Sequence, residues 1–279
     1  MSDVRPENEF QFIRLEHEGP LTWIVFNRPQ QANALSTALL DEFSDALEWL
    51  KDNGGAVIAI RGEGKGFSAG YDIGQVGLPK SADPVGDRTR LKRNVDRFLA
   101  IWDHPKPVIA AVHGYCVAGA AQLCSYTDIT IVADDVRITE PTVPIGGGLI
   151  APTMAPIVGV KRAKEFAFVP GNSIDGARAV EWGFANHSVP PAQLLDTVRA
   201  LADRISLLPS EVLAIKKLSI NRAAEAMGVR TASNHVAEMD ALLHLAPSVL
   251  AVRERIAEEG LQQVISAYRV PSTMDLSER

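Results

Sequence analysis

Short apolar segments alternate with helical ones through the first two thirds of this chain, and that alternation restricts the possible folds more than any other feature. Residues 56–60 and 108–112 are fully apolar and too short for typical helices, and residues 129–133 form a third strand candidate. After Ser36, a good helix N-cap, apolar residues recur at helical spacing. Apolar strands separated by helices are typical of an α/β core with parallel strands.

Beyond residue 193 the pattern is wholly helical. Helical character covers residues 194–207, 210–227, 229–245 and 248–267. The sequence therefore predicts an α/β core that carries the functional site, residues 1–193, and a helical C-terminal region, residues 194–279.

Two boundaries inside the core follow from polarity. Residues 75–87 are polar and contain two prolines, so we predict a loop there and a helix over residues 88–102. A further helix is predicted over residues 117–126, where small and apolar side chains follow Gly114.

Composition argues against several classes of partner. The net charge is −6 without a long basic run, which argues against nucleic acid. Cys116 and Cys124 stand in apolar surroundings, and no CxxC pair or histidine cluster suggests a disulfide framework or a metal. Residues 1–10 are polar and polar residues interrupt the apolar segment 108–133, so we expect no signal peptide, no membrane helix and a cytoplasmic protein.

A glycine-rich loop, residues 62–72, follows the strand predicted at residues 56–60. It is not a dinucleotide fingerprint, because Phe67 stands where a glycine is needed, and not a P-loop, because Gly66 stands where Ser or Thr is needed. Residues 66–70 do match the G-x-S-x-G elbow of serine hydrolases.

The serine hydrolase interpretation makes Ser68 a nucleophile. Such an elbow follows its strand immediately, whereas five polar or glycine residues separate Gly66 from Ile60. His187, His235 and His244 could supply a base, as histidines in any chain of this length could. This interpretation remains one alternative.

A second glycine-containing segment, residues 105–122, joins a predicted strand to a helix. Small residues at the start of a helix allow its backbone N–H groups to approach a ligand, at the positive end of the helix dipole. Tight packing of the helix on the sheet would need the same small residues. Two such loops beside one sheet could present two N–H donors to one oxygen, as in an oxyanion hole that stabilises a thioester-derived anion.

Five segments, in order, resemble motifs of the enoyl-CoA hydratase/isomerase (crotonase) superfamily, and the resemblance covers nearly the whole chain. They are N-R-P-Q-Q-A-N-A-L-S (27–36), G-K-G-F-S-A-G-Y-D (64–72), the segment 105–119, D-I (128–129), and 159–164 followed by Ala177 and Gly183.

The resemblance implies a spiral of ββα units with a helical C-terminal region that covers the site and assembles trimers, often paired as hexamers. It implies a lyase or isomerase of fatty acid metabolism, with coenzyme A present as part of the substrate and no permanently bound cofactor. The backbone N–H groups of Tyr71 and Gly119 would form the oxyanion hole. The implied CoA-binding positions are Ala32, Lys65, Ala69, Gly70 and Tyr71.

The sequence departs from this family where a hydratase carries two glutamates. Gln122 and Thr142 occupy those two positions, and neither side chain can act as a base near neutral pH. Glu140, two residues before Thr142, is the first candidate to replace them. Weaker candidates are His113, Tyr126, Asp83 and Asp87. Residues 146–148, all glycine, replace a longer family loop and suggest an altered acyl pocket.

We therefore predict an acyl-CoA enzyme of this family with low activity as an ordinary enoyl-CoA hydratase. One alternative keeps the fold and changes the reaction to hydrolysis or C–C cleavage of a bulky acyl-CoA. Another is a non-catalytic subunit that binds a CoA thioester, and the third is the serine hydrolase.

Overall fold

A computed structural model describes residues 9–73, 83–140, 143–146 and 150–268 of the chain. The predictions that concern Thr142, Gly147 and Gly148 lie outside these residues.

The main sheet has six strands in the spatial order β1-β2-β3-β4-β6-β9. The first two pair antiparallel, and every later neighbour pairs parallel, as the sequence predicts. The strands of this sheet are β1 (Ile13–Glu18), β2 (Leu21–Phe26), β3 (Val57–Gly62), β4 (Val108–Val112), β6 (Ile129–Ala133) and β9 (His187–Val189).

A smaller sheet, in the order β5-β7-β8, lies beside the main one. Its strands are β5 (Tyr115–Val117), β7 (Arg137–Thr139) and β8 (Ser173–Ile174). Because β5 follows β4 after a two-residue turn, the chain passes from the main sheet to the small one at the second glycine-containing segment.

Eleven α-helices are found in the described residues. They are α1 (Thr37–Leu50), α2 (Pro84–Trp102), α3 (Gly119–Cys124), α4 (Ile150–Val158), α5 (Val160–Phe168), α6 (Gly176–Trp182), α7 (Leu194–Ile205), α8 (Ser210–Ala226), α9 (Val229–Leu243), α10 (Pro247–Glu259) and α11 (Leu261–Ala267).

Three predicted boundaries are wrong. The helix predicted over residues 248–267 is divided into α10 and α11 at Gly260, which has φ +88°. Helix α2 begins at Pro84, inside the predicted loop, because the Asp83 side chain caps it by accepting from the Gly86 N–H at 2.9 Å. The predicted helix 117–126 is shorter and begins at Gly119, since residues 115–117 form β5. Ser36 does cap α1, and its hydroxyl accepts from the Leu39 N–H at 3.2 Å.

The main sheet is covered on both faces. Alternate residues of β2 point to opposite sides, so Ile24 and Phe26 join the core beneath α1 and α2, whereas Trp23 packs towards α7. Helix α7 closes the second face through Leu194 and Val198. Helix α9 packs mainly on α2 and also contacts α4 and α8. The division at residues 193 and 194 stays a prediction.

Candidate active site

The first glycine loop, residues 62–72, is tied to the segment that follows β2. Arg28 donates to the Asp72 carboxylate at 2.9 Å, and its own N–H donates to the Asn33 side chain at 3.0 Å. The Asn33 amide in turn donates to the carbonyls of Glu63 and Gly66, at 2.8 and 3.0 Å. The first motif of the chain therefore fixes the shape of a loop about 30 residues away.

Ser68 stabilises this loop through hydrogen bonds to backbone groups. Its side chain is fully buried, donates to the Asn33 carbonyl at 2.7 Å and accepts from the Gly70 N–H at 3.1 Å. A nucleophilic serine would need a base beside it and access to a substrate. Ser68 has backbone partners instead, which disfavours the serine hydrolase alternative.

The residues predicted to touch CoA lie along one rim. The Ala69 N–H donates to the Ala32 carbonyl at 2.9 Å, and both residues are half-buried. Lys65 is exposed on the same loop. The His113 ring nitrogen Nε2 lies 2.9 Å from the Gly64 carbonyl oxygen, so this histidine, a weak acid–base candidate, helps to hold the rim. The role of these residues in CoA binding stays a prediction.

Glycine is required where the two glycine segments meet. Gly70 has φ +80°, and a Cβ atom there would lie 2.4 Å from the Val117 carbonyl and 3.2 Å from the Gly119 nitrogen. A Cβ atom on Gly119 would lie 2.7 Å from the Tyr71 ring. The loop and the first turn of α3 approach each other so closely that neither glycine can be replaced by a residue with a side chain.

Two backbone donors sit at this meeting point. On either side of Tyr71, Leu35 donates to the Gly70 carbonyl and accepts from the Asp72 N–H. The N–H groups of Tyr71 and Gly119 themselves have no partner among the described residues. The backbone just before Gly119 is strained, because Ala118 adopts φ +47°. The Ala118 N–H donates to the Thr139 carbonyl at 3.0 Å.

Gln122, which is predicted to occupy the first glutamate position, is fully buried. The Tyr71 hydroxyl donates to its Oε1 at 2.9 Å, and its Nε2 has no partner among the described residues. Burial raises the pKa of Tyr71 well above its ordinary value, so the phenol keeps its proton and acts as a donor. Neither side chain can remove a proton from a substrate near neutral pH.

Glu140 follows β7 directly, beside the Thr139 carbonyl that holds Ala118. Burial, helped by the nearby Asp240 carboxylate, raises the pKa of Glu140 to about 8. Its buried Oε2 has no partner among the described residues. At neutral pH this carboxyl group is therefore mostly protonated and can donate a proton more readily than accept one.

A charged cluster that the sequence did not reveal lies behind Glu140. It comprises Asp87 and Arg90 of α2, Asp240 of α9, His244 just after α9, and Arg253 of α10.

The hydrogen bonds of this cluster join residues of α2 to residues in and just after α9. His244 Nδ1 lies 2.5 Å from Asp87 Oδ2, and His244 Nε2 lies 3.7 Å from Asp240 Oδ2. Arg90 donates to the other Asp87 oxygen at 2.6 Å. Burial opposes the charge of Asp87, but its bonds to His244 and Arg90 hold the pKa of this carboxyl below its usual value.

Of these residues, only Asp87 was an acid–base candidate from the sequence, and His244 was considered only as a hydrolase base. The four-residue spacing of Asp240 and His244 could have signalled one helical face. The other candidates, Tyr126 and Asp83, have structural partners: the Tyr126 hydroxyl donates to Ser233 at 2.9 Å, and Asp83 caps α2.

Among the described residues, no group of three or more His, Cys, Asp or Glu side chains is arranged so that it could hold a metal ion. None of the described helices is both long and apolar enough to cross a membrane.

The sequence profile of enoyl-CoA hydratase/isomerase proteins matches residues 16–248, most of the chain. The chain belongs to the enoyl-CoA hydratase/isomerase family. This confirms the family and the crotonase-type α/β fold that the motifs predict. The family is one of enzymes, as its name states.

A solved structure and two named relatives are similar to this chain over most of its length. A crystal structure of an enoyl-CoA hydratase/isomerase family protein from Novosphingobium aromaticivorans is 49% identical, with a TM-score of 0.92 over 96% of this chain and 99% of the other. The hydroxycinnamoyl-CoA hydratase-lyase of Pseudomonas fluorescens is 27% identical over 93% of this chain and 94% of its own length. The short-chain-enoyl-CoA hydratase of Clostridium acetobutylicum is 30% identical over 78% of this chain and 84% of its own.

Proposed function

We propose that this family member binds an acyl-CoA thioester and stabilises the enolate or tetrahedral anion formed at its carbonyl. The observation that carries this proposal is the pair of unpartnered N–H groups on Tyr71 and Gly119, which the close approach of Gly70 to α3 brings together. Fixed backbone donors aimed at a developing oxyanion need no reorganisation during reaction, which makes them effective catalysts.

Coenzyme A would lie along the rim formed by Ala32, Lys65 and Ala69. The first two are accessible from solvent at least in part, and the bond between Ala69 and Ala32 keeps the rim next to Gly70. Lys65 could attract the phosphates of the coenzyme without being buried. The thioester end would then enter between the two glycine segments.

The proton chemistry differs from that of a standard hydratase. Hydration needs a base that activates water, and Gln122 is an amide already bonded to the Tyr71 hydroxyl. Glu140, with a pKa of about 8, is suited to protonate an enolate. We propose that this site delivers a proton to an enolate, and that hydration of a simple enoyl-CoA is slow.

A second candidate reaction is C–C cleavage of a β-hydroxyacyl-CoA, which also passes through a thioester enolate. It is supported by the likeness to the hydroxycinnamoyl-CoA hydratase-lyase, which extends over nearly the full length of both chains. The ionised fraction of Glu140 would take the β-hydroxyl proton while the C–C bond breaks and an aldehyde leaves, and the same carboxyl group would then return the proton to the α carbon of the enolate.

Self-association through the C-terminal helices is part of the proposal. Apolar side chains stand exposed on α8 and α9, and an unpartnered apolar surface of this kind is typical of an interface. They are Val212, Ile215, Leu218, Ile220, Met239, Leu242 and Leu243. We propose a homotrimer, or a hexamer built from trimers.

The oxyanion proposal can be tested without knowing the natural acyl group. Deuterium uptake at the α carbon of butanoyl-CoA in heavy water, followed by mass spectrometry above pH 8, reports enolate formation directly. Gly119→Pro deletes one of the two donors, and loss of such a donor typically lowers the rate about 100- to 1,000-fold. An exchange rate equal to that of the wild type, in a variant with unchanged circular dichroism, would place the carbonyl elsewhere.

A further inference from the structure

A small cavity between α1 and α2 is lined by three arginines. Its volume is about 130 Å³. Arg90, Arg93 and Arg97 belong to α2, and their spacing of three and four residues places them on one face of that helix. The lining from the start of α1 and the residues before it is Leu35, Thr37 and Leu40. Three cationic side chains of one helix therefore share one confined space.

Only two of these arginines have a carboxylate partner. Arg90 donates to Asp87 at 2.6 Å, and Arg97 donates to Asp41. Arg93 has no hydrogen-bond or ion-pair partner among the described residues. Neither carboxylate is part of the cavity lining. Since like charges at this spacing destabilise a helix, the arrangement lacks an anion at the cavity itself.

The wider surroundings do not cancel this positive charge. The second oxygen of Asp87 is bonded to His244, and the Arg253 guanidinium acts on Asp87 as well. Glu140 is mostly protonated at neutral pH, and a proton on His244 would add to the positive charge. The cations near the cavity are Arg90, Lys92, Arg93, Arg97 and Arg253, and the carboxylates are Asp41, Asp87, Asp96 and Asp240. The cations thus exceed the carboxylates by one, which is the charge of Arg93.

The paired arginines also retain donors for a ligand. A guanidinium has five N–H donors in a planar fork that suits carboxylate and phosphate oxygens. Arg97 uses Nη1 for Asn94, at 2.7 Å, and Nη2 for Asp41, whereas Arg90 uses Nε and Nη2 for Asp87. Arg97 is only 8% exposed, so its charge is weakly screened by solvent. Thr37 adds the positive end of the α1 dipole to this lining.

The position and size of the cavity indicate which anion it takes. Leu35, in the lining, donates to the Gly70 carbonyl and accepts from the Asp72 N–H, so it lies beside Tyr71. An apolar cavity of about 150 Å³ holds benzene, so this cavity has room for a carboxylate with one or two carbon atoms, or for one phosphate, but not for a diphosphate. Leu35 and Leu40 provide apolar surface for the carbon atoms.

We propose that the cavity binds an oxoanion of the substrate, and that this group is a carboxylate at the far end of the acyl chain. The substrate class is then the CoA thioesters of dicarboxylic acids, with the distal carboxylate bound by Arg93 and Arg97. This inference rests on the proposed function, because it places the thioester oxygen at Tyr71 and Gly119.

Calorimetric binding of two matched pairs of thioesters tests the proposal. Glutaryl-CoA is compared with pentanoyl-CoA, and adipoyl-CoA with hexanoyl-CoA, so that within each pair a carboxylate replaces a terminal methyl group. We expect the dicarboxylic member of at least one pair to bind about tenfold more tightly, the effect of a charge-assisted contact with the arginines.

Two arginine variants of α2 separate this contact from a general effect of charge. Arg88 and Arg93 are both exposed, but Arg88 pairs with Glu238 and is not part of the cavity lining. Arg93→Gln should reduce the preference to about threefold or less, whereas Arg88→Gln, which loses the same charge, should retain it. An equal loss in both variants would overturn the assignment to this cavity.

The remaining results are distinct. Equal affinities within both pairs would overturn the dicarboxylic assignment and leave the proposed function standing. If Arg93→Gln weakens binding of pentanoyl-CoA but not of 3′-dephospho-pentanoyl-CoA, the cavity holds a phosphate of the coenzyme and the acyl carboxylate is placed wrongly. Failure of every CoA thioester to bind would remove the proposed function and this inference together.

Discussion

The two sides of the candidate site differ in the groups that form them. The proposed thioester side consists of residues 62–72 and 105–119, whose backbone groups are positioned by glycines and by motif side chains such as Arg28 and Asn33. The proposed acyl side consists of side chains of α2, α3, the end of β7 and the C-terminal helices. On the first side the N–H groups of Tyr71 and Gly119 lack partners among the described residues, whereas the second side contains buried charges and unpartnered polar side-chain atoms.

This difference separates what the family holds in common from what one member does. Backbone donors are insensitive to side-chain replacement, so a common oxyanion site can persist while the acid–base residues change. In this chain Gln122, which is predicted to stand where a hydratase carries a glutamate, lies three residues after Gly119 on the same helix. We infer that the thioester side decides which substrates can be activated and the acyl side decides what happens next.

The largest expected effect comes from giving the acyl side the usual pair of glutamates. Wild-type protein should hydrate crotonyl-CoA very slowly, because neither Gln122 nor Thr142 can accept a proton. Gln122→Glu with Thr142→Glu should raise the rate by about 100- to 10,000-fold, the range for a positioned acid or base. Absorbance of the conjugated thioester follows the reaction.

The single variants serve as controls for this gain. Acid and base act on one transition state, so each change alone should give less than its share of the double effect. Hydration by the wild type at a normal enzymatic rate would contradict the prediction. Glu140→Gln would then show whether Glu140 had taken over the missing role.

A single added methyl group at Gly70 should disrupt the placement of the two backbone donors. Gly70→Ala should lower α-carbon exchange about 100- to 1,000-fold, because the new Cβ meets the Val117 carbonyl at 2.4 Å and displaces the donors. Gly64→Ala is a matched control in the same loop, with φ +82° but a nearest contact of 3.0 Å to the Pro29 Cβ atom. Equal losses in the two variants would show that backbone strain, and not donor placement, is responsible.

The two glycine segments of the proposed thioester side could be recognised from sequence because their determinants are local. The loop 62–72 and the segment 105–122 each carry their own glycines, and their order along the chain identified the family. The acyl side could not, since the contact between Asp87 and His244 joins residues 157 positions apart. No local pattern reports such a pairing, which depends on the packing of α9 against α2.

The sequence predictions also failed where one residue is compatible with two local structures. Residues 75–87 contain Pro84, which suggested a loop, yet proline is favoured in the first turn of a helix and Asp83 supplies the cap. In the second segment, the three-residue strand β5 is too short to show alternation and was not predicted, and its last residue, Val117, was placed in the predicted helix. The burial of Glu140, which sets its chemistry, likewise follows from tertiary packing and not from its neighbours in the chain.

Removal of the buried Glu140 carboxyl group should stabilise the acyl side at alkaline pH. The pKa of Glu140 is raised from its ordinary value near 4.5 to about 8 in the folded protein. Between these values the folded state binds a proton that the unfolded state has lost, so this group lowers stability as pH rises through the window and no further above it.

Glu140→Gln removes that dependence. Relative to the wild type, its free energy of unfolding should increase steadily from about pH 4.5 to 8, reaching roughly 2–4 kcal/mol, and then level off. Urea titrations at a series of pH values measure the difference. A difference that is flat across the window would mean that Glu140 is ionised in the folded protein, and its proposed part as a proton donor would fail.

The smallest expected effect concerns Ser68, which belongs to the thioester side but makes only structural bonds. Ser68→Ala leaves the Gly70 N–H without its side-chain acceptor, so the free energy of unfolding should fall by about 1–3 kcal/mol. Exchange at the α carbon should change far less than in Gly70→Ala, because the Tyr71 and Gly119 donors remain. A serine-directed fluorophosphonate should not label the wild type, since the hydroxyl is fully buried and already donates to the Asn33 carbonyl. Labelling that Ser68→Ala abolishes would instead make Ser68 a nucleophile, and the division between a backbone side and a side-chain side would no longer hold.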